Sequence, residues 1–195
     1  MTEADEKQTL HRILRNARGV LLWKLEGLCD YDIRRPMTPT GTNLLGLVKH
    51  CAGVECGYFG EVLDRPFPGE DDLDWHDGAD MYATATESRE QVTEFYRRAW
   101  AHSDATIEEH ALDKRGTVPW WPQERRNPTL HAVIVHVIQE TARHAGHADI
   151  IRESIDGAVG LREGVSNLPA DAVTWKEHYA KLDQIARSVS AGTAS

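Results

Sequence analysis

The sequence has only three cysteines in 195 residues, Cys29, Cys51 and Cys56. They form no CxxC pair, and any disulfide would leave one thiol over. That excludes a disulfide-stapled scaffold and fits a reducing compartment. No apolar run approaches the ~18 residues that a membrane span needs. The opening MTEADEKQTLHRIL is acidic and polar, without a signal-type apolar core, so a cytoplasmic location is expected. Runs of Lys and Arg are missing as well: 22 basic residues face 31 acidic ones, for a net charge of −9. Such a surface repels nucleic acid and anionic membrane, so neither is an expected partner. Strand-like alternation, internal repeats and low-complexity blocks are also absent from the sequence pattern.

What the chain does have is helical periodicity. Leu10, Ile13, Leu14, Ala17, Val20, Leu21 and Leu25 recur at three- and four-residue steps, which predicts a first helix over 5–28. CDYDIRRPMTPTGTN reads as a loop. Thr40 or Thr42 then serves as the expected N-cap of a second helix running to about Leu63. A third helix is expected from Thr84 to His110. A fourth begins near Pro128 at a first-turn position and ends near Gly157. A last helix is expected over 171–189, followed by a short polar tail. The connections are long, notably the acidic DRPFPGEDDLDWHDGAD and the LDKRGTVPWWPQERRNP segment. The expectation is an all-α protein: a four-helix bundle with an additional C-terminal helix, one domain over 1–190 and a tail at 191–195.

The fourth helix carries the chemistry. In HVIQETARHAGHADIIRES, Glu140, His144 and His147 lie ~40°, ~80° and ~20° round the helix from His136, within the same arc as Val133, Val137 and Ile151. Imidazoles and a carboxylate on a core-facing side need partners. A divalent metal supplies them: Glu140 and His144 are spaced to share one ion, His144 and His147 equally so, and spacing alone does not choose. His136 lies ~12 Å along the axis from His144, too far for the same ion, and reads as a pocket residue. The polar side could instead be hydrogen-bonded to neighbouring helices.

On the second helix the apolar arc comprises Leu44, Val48, Cys51, Phe59 and Val62, with His50 at its edge. Alone, His50 reads as a core histidine. Beside a His/Glu face on another helix, it reads as a further metal ligand. Cys51 points ~100° away from its neighbour and belongs to the core. Glu55, inside the apolar arc, requires a partner: a ligand histidine, Arg97, Arg98 or a tryptophan N–H. Trp120 and Trp121 either wall a pocket or pack their loop onto the bundle. The acidic run Glu70, Asp71, Asp72 and Asp74 lacks the ordered spacing of a Ca²⁺ loop and reads as solvated.

TPTGTNLLGLVKHCAGVE, FYRRAWAHSDATI, VPWWP and ETARHAGHADIIRE together resemble the DinB superfamily, in the branch that includes the mini-circle proteins of actinobacteria. The resemblance spans nearly the whole chain. It implies a DinB-like four-helix bundle with a divalent metal at one end of its interior, held by one His of the second helix and an H-x3-H pair on the fourth. His50 matches the first ligand and His144 the last, while Glu140 stands where the family commonly has His. The related mycothiol-dependent members resemble this chain in using His, Glu and His, which map onto His50, Glu140 and His144. His147 replaces Glu140, adds a fourth ligand or acts as acid/base.

The expected ion is zinc, with nickel, iron or manganese as alternatives, and a low-molecular-weight thiol such as mycothiol is the expected co-substrate. The resemblance implies a thiol S-transferase or isomerase acting on a small-molecule electrophile, with Glu140 and His147 as candidate catalytic groups; His136, Trp120 and Trp121, read as pocket residues from their positions, are the candidates for binding the co-substrate. The alternative is a non-catalytic metal- or ligand-binding stress protein. Relatives of this kind commonly pair, which makes a homodimer the expected assembly.

Overall fold

The computed structural model describes residues 2–166, 168 and 174–192, and among these there are helices and turns but no regular strand. Six α-helices follow one another: α1 Glu3–Trp23, α2 Asp30–Arg34, α3 Leu44–Phe59, α4 Arg89–Glu109, α5 Leu130–Asp156 and α6 Trp175–Gly192. The chain divides into two compact units, the first ending at Val165 and the second beginning at Ser166. The domain expected over 1–190 therefore spans both units. Of the expected tail, 191 and 192 close α6 and 193–195 lie outside the described residues.

Each long helix of the first unit begins where a side chain satisfies free backbone N–H groups. Thr2 and Asp5 form a reciprocal capping box on α1, and Ser88 and Gln91 do the same on α4. Thr129 caps α5, so Pro128 lies just outside the helix and not in its first turn. The cap of α3 is Asn43, whose side chain accepts from the Gly46 amide at 2.8 Å. Thr42 is instead occupied in a tight turn with Thr38, which corrects the expected Thr cap.

Several helix ends fall short of the periodic pattern for identifiable reasons. The chain after Trp23 tightens into i→i−3 bonds (Leu25 to Leu22, Glu26 to Trp23), ending α1 before residue 28. α3 stops at Phe59 because Gly60 leaves helical geometry, and Glu61–Leu63 continue as a 3-10 turn. A β-carbon at Gly60 would run into the Cys56 carbonyl, so the break is built for glycine. Residues 84–88 stay outside α4. The expected first loop also contains the short α2. Residues 171–173 of the last expected helix lie outside the described residues.

α3 packs against α4 and α5, while α1 packs against α5 and more lightly α4, which makes a four-helix bundle. Its interior holds two apolar clusters. One gathers Leu21, Leu44, Leu45, Val48, Phe95, Tyr96 and Ile151, and the other Leu14, Phe59, Ile107, Leu130, Val133, Ile134 and Val137. Arg18 sits between Leu14 and Leu21 on α1, at the seam. Its guanidinium grips Glu55 of α3 in two parallel bonds of 2.7 and 2.6 Å, both side chains being fully buried. A third bond, of 2.6 Å, ties it to Asp104 of α4. On α5 the same seam holds Glu140, Thr141 and His144, between Val137 of one cluster and Ala148 of the other. Arg18, Glu55, Glu140, Thr141 and His144 thus gather where the two apolar clusters meet.

Candidate metal centre and its pocket

At this seam α3 and α5 bring three donors together. Ligand atoms of His50, Glu140 and His144 all lie within 4.8 Å of one another. Glu140 Oε2 stands 3.6 Å from His144 Nε2, and the His50 and His144 rings meet edge to face with centroids 4.7 Å apart. Donors to one tetrahedral ion sit roughly 3.3 Å apart when the bonds are ~2.0–2.1 Å. The three would draw inward slightly to share a metal.

The state of the two histidines suits that role. His144 is buried, and its pKa is pushed down to about 4, first by burial and then by the neighbouring His50, against the opposing charge of Glu140. The ring is therefore neutral at neutral pH and its lone pair is available. Its Nδ1 is buried without a hydrogen-bond partner, an unmet cost in a packed interior. His50 Nδ1 lies 3.0 Å from Asp80 Oδ2. A carboxylate only accepts, so Nδ1 carries the proton and Nε2 is left as the donor, the arrangement found where a carboxylate orients a metal-binding histidine.

The remaining candidates divide. His147 is exposed, one turn along α5, its ring 5.4 Å from that of His144, and it is not one of the three converging donors. His136 stays apart from the donor group too. Its ring packs 4.6 Å from Tyr58 and 5.0 Å from Trp121, and burial lowers its pKa despite the pull of Glu140. Trp120 and Trp121 both donate their indole N–H to the Tyr58 hydroxyl, at 3.2 and 2.9 Å, which clamps the VPWWP loop onto α3. Glu55 meets Arg18, from α1, and not the expected Arg97, Arg98 or a histidine. Arg98 pairs with Asp72 of the acidic run instead.

A cavity of about 510 Å³ opens beside the donors, and His50, Tyr58, Trp75, Trp120, His136 and Glu140 are among the residues that line it. Cys56 also touches it, but burial pushes its thiol far above the usual range, and Cys51 is affected in the same way. Neither supplies a thiolate. Three contributors had escaped sequence reasoning: Asp80, Tyr58 and Trp75. Asp80 lies in a short 3-10 helix, His76–Met81, with Trp75 just before it, inside a long loop whose only signal is DWHDGAD, a cluster of aromatic, His and Asp residues among turn formers.

That loop is pinned to the bundle at several points. The Glu87 carboxylate accepts from the amides of Asp74 (2.8 Å) and Thr84 (2.6 Å) and from the buried Lys49 amine (2.7 Å). Lys49 also reaches the Tyr82 carbonyl, and the Met81 carbonyl packs so closely on Gly46 that no side chain fits there. The result is a fixed strap over α3 that delivers Asp80 to His50.

The bundle and its convergent His/Glu/His donors define a DinB-like protein, a class that binds metal. More narrowly, the chain belongs to the mycothiol-S-transferase family, whose sequence profile it matches over residues 9–157. No curated protein matches it. Among solved structures it is similar to a conserved protein from Enterococcus faecalis, with a TM-score of 0.57 and 16 % identity. That match covers 77 % of this chain and 97 % of the other, and it establishes the shared fold. No helix among the described residues is long and apolar enough to cross a membrane.

Proposed function

We propose that the protein is a divalent-metal-dependent S-transferase that joins a low-molecular-weight thiol of the mycothiol type to a small electrophile. The observation that carries this reading is a three-donor set, two of whose members, His50 and Glu140, line a cavity that offers no usable protein thiol. Three protein donors leave coordination positions open, as a catalytic rather than a structural site requires. His50, Glu140 and His144 would hold the ion, with zinc the best fit to two imidazoles and a carboxylate. The bound metal would lower the pKa of an incoming thiol and so keep it as thiolate at neutral pH.

The chain's own groups do the rest. Asp80 fixes the tautomer of His50. His136, neutral and on the cavity wall, accepts the thiol proton at a ring nitrogen. Trp75, Trp120 and Tyr58 exclude water and orient the electrophile. The thiolate sulfur then forms a bond to the electrophilic carbon, whose leaving group departs with the bonding pair. His147 supports the His144 ring from its exposed side.

The test is conjugation of mycothiol to a bromobimane by metal-loaded protein. The expected outcome is a thiol-dependent rate that vanishes on chelation and returns with zinc. Fully metallated protein that gives no rate with any common cellular thiol would instead make the chain a binding module.

A further inference from the structure

The Tyr58 hydroxyl accepts two hydrogen bonds and gives none within the protein. Trp120 and Trp121 each donate an indole N–H to it, at 3.2 and 2.9 Å. An indole nitrogen only donates, so both bonds fall on the acceptor side of the hydroxyl and its own O–H is left over. Among the described residues no acceptor takes that hydrogen. His136 meets Tyr58 ring against ring, centroids 4.6 Å apart and planes tilted by 57°, and not through a hydrogen bond. The side that remains is the cavity, which Tyr58, Trp120 and His136 line together. A hydroxyl that already accepts is polarised and donates more strongly. Tyr58 is only 7 % exposed, so water competes little for a bond formed there.

Its place in the cavity decides which part of a ligand it meets. Tyr58 follows His50 by eight residues on α3, and His136 precedes His144 by eight on α5. The pair therefore stands ~12 Å along both helices from the metal donors. Gly53, Val54 and Gly57 line the stretch between. The cavity thus has the open positions of the proposed metal at one end, an apolar middle, and an uncommitted O–H donor at the other. A carbonyl oxygen suits such a donor, because it accepts without bringing a hydrogen that needs a partner of its own. A few fixed polar groups in an apolar pocket are what orients a ligand and sets specificity.

We infer that Tyr58 selects the electrophile: its O–H donates to a carbonyl oxygen that the electrophile carries at the end remote from the carbon under attack. This rests on the reading of the cavity as the substrate pocket, and it makes Tyr58 a specificity residue that touches substrate away from the metal.

Equilibrium dialysis and infrared spectroscopy, both without thiol, test it with two uncharged isosteres. One is 2-acetylnaphthalene, which has the carbonyl, and the other is 2-isopropenylnaphthalene, which has a methylene in its place. The ratio of their affinities, carbonyl over alkene, should fall about threefold to tenfold in Tyr58→Phe, the contribution of one hydrogen bond between neutral groups. The stretch of the bound, isotope-labelled carbonyl should lie lower in the wild type than in Tyr58→Phe, in zinc-loaded and zinc-free protein alike. Trp121→Phe loosens the loop but keeps the hydroxyl, so it should retain the carbonyl preference. An unchanged ratio in Tyr58→Phe, an equal loss in Trp121→Phe, a stretch shift that requires zinc, or no saturable binding of either probe would overturn the inference. Because no thiol or turnover enters the measurement, a Tyr58-dependent preference in a protein without thiol-dependent rate upholds this inference and rejects the transferase reading. A thiol-dependent rate without that preference does the opposite.

Discussion

Asp80 accepts a hydrogen bond from His50 Nδ1 at 3.0 Å, although the two residues belong to different elements thirty positions apart. The bond decides which nitrogen of His50 faces Glu140 and His144. Loss of such an orienting carboxylate typically costs about 10–100-fold in metal affinity. Asp80→Asn should therefore weaken zinc binding by that order in a competition titration with a chromophoric chelator. Asp80 is half-exposed, so the melting temperature of the metal-free protein should barely move. Wild-type zinc affinity in Asp80→Asn would remove the residue from the proposed centre.

Metal content separates ligands from neighbours. His50→Ala, Glu140→Ala and His144→Ala should each bring bound metal well below one ion per chain, because each removes one of three converging donors. His136→Ala and His147→Ala should keep it, since neither ring belongs to that group. Elemental analysis of the five variants decides it. Loss of metal in His147→Ala alone would move the centre outward along α5.

The loop that carries Asp80 also makes stability depend on acid. Burial alone would raise the pKa of Glu87, but the hydrogen bonds from Lys49 and from the Asp74 and Thr84 amides outweigh it and hold the carboxyl below its ordinary value. A group whose pKa is depressed on folding stabilises the fold above its unfolded pKa, and that contribution is lost as pH falls through the folded value. Urea midpoints should thus decline below about pH 4.5, the ordinary Glu range. Glu87→Gln should be less stable at pH 7 yet show a flatter decline. Parallel curves for the two proteins would show that Glu87 is not responsible.

The sequence made the four long helices legible because each buries a stripe at helical spacing, and it made the Glu140/His144 pair legible because an i,i+4 step on one helix fixes their distance. His50 was accessible only as a residue at the edge of an apolar arc. What lay beyond the pattern depends on how elements meet. Asp80 sits in the 3-10 helix His76–Met81 of a long loop held by Glu87 and Lys49, a link that no periodicity records. Asn43 took the cap from Thr40 and Thr42 because a local turn had engaged Thr42. Glu55 clearly needed a partner, yet its true one, Arg18, lies across the bundle on α1, and amphipathic stripes do not say which helices stand opposite. Nor does spacing alone reveal that His147 turns outward while His144, three residues earlier, turns in.

Arg18 and Glu55 provide the sharpest test of the bundle's interior. Both are fully buried, joined by two short bonds, and placed where the two apolar clusters meet. Removing one member leaves an uncompensated charge in a place that water does not reach, which typically costs about 3–5 kcal/mol. Arg18→Met and Glu55→Met should each lower stability by that order in urea denaturation. The double variant replaces the pair by apolar side chains of similar length, so it should recover most of the loss, a coupling that a double-mutant cycle reads directly. Asp104 would keep His11 and Arg15 as partners in the double variant and so would not be stranded. Simple additivity of the two single losses would mean that Arg18 and Glu55 do not hold the seam through one another.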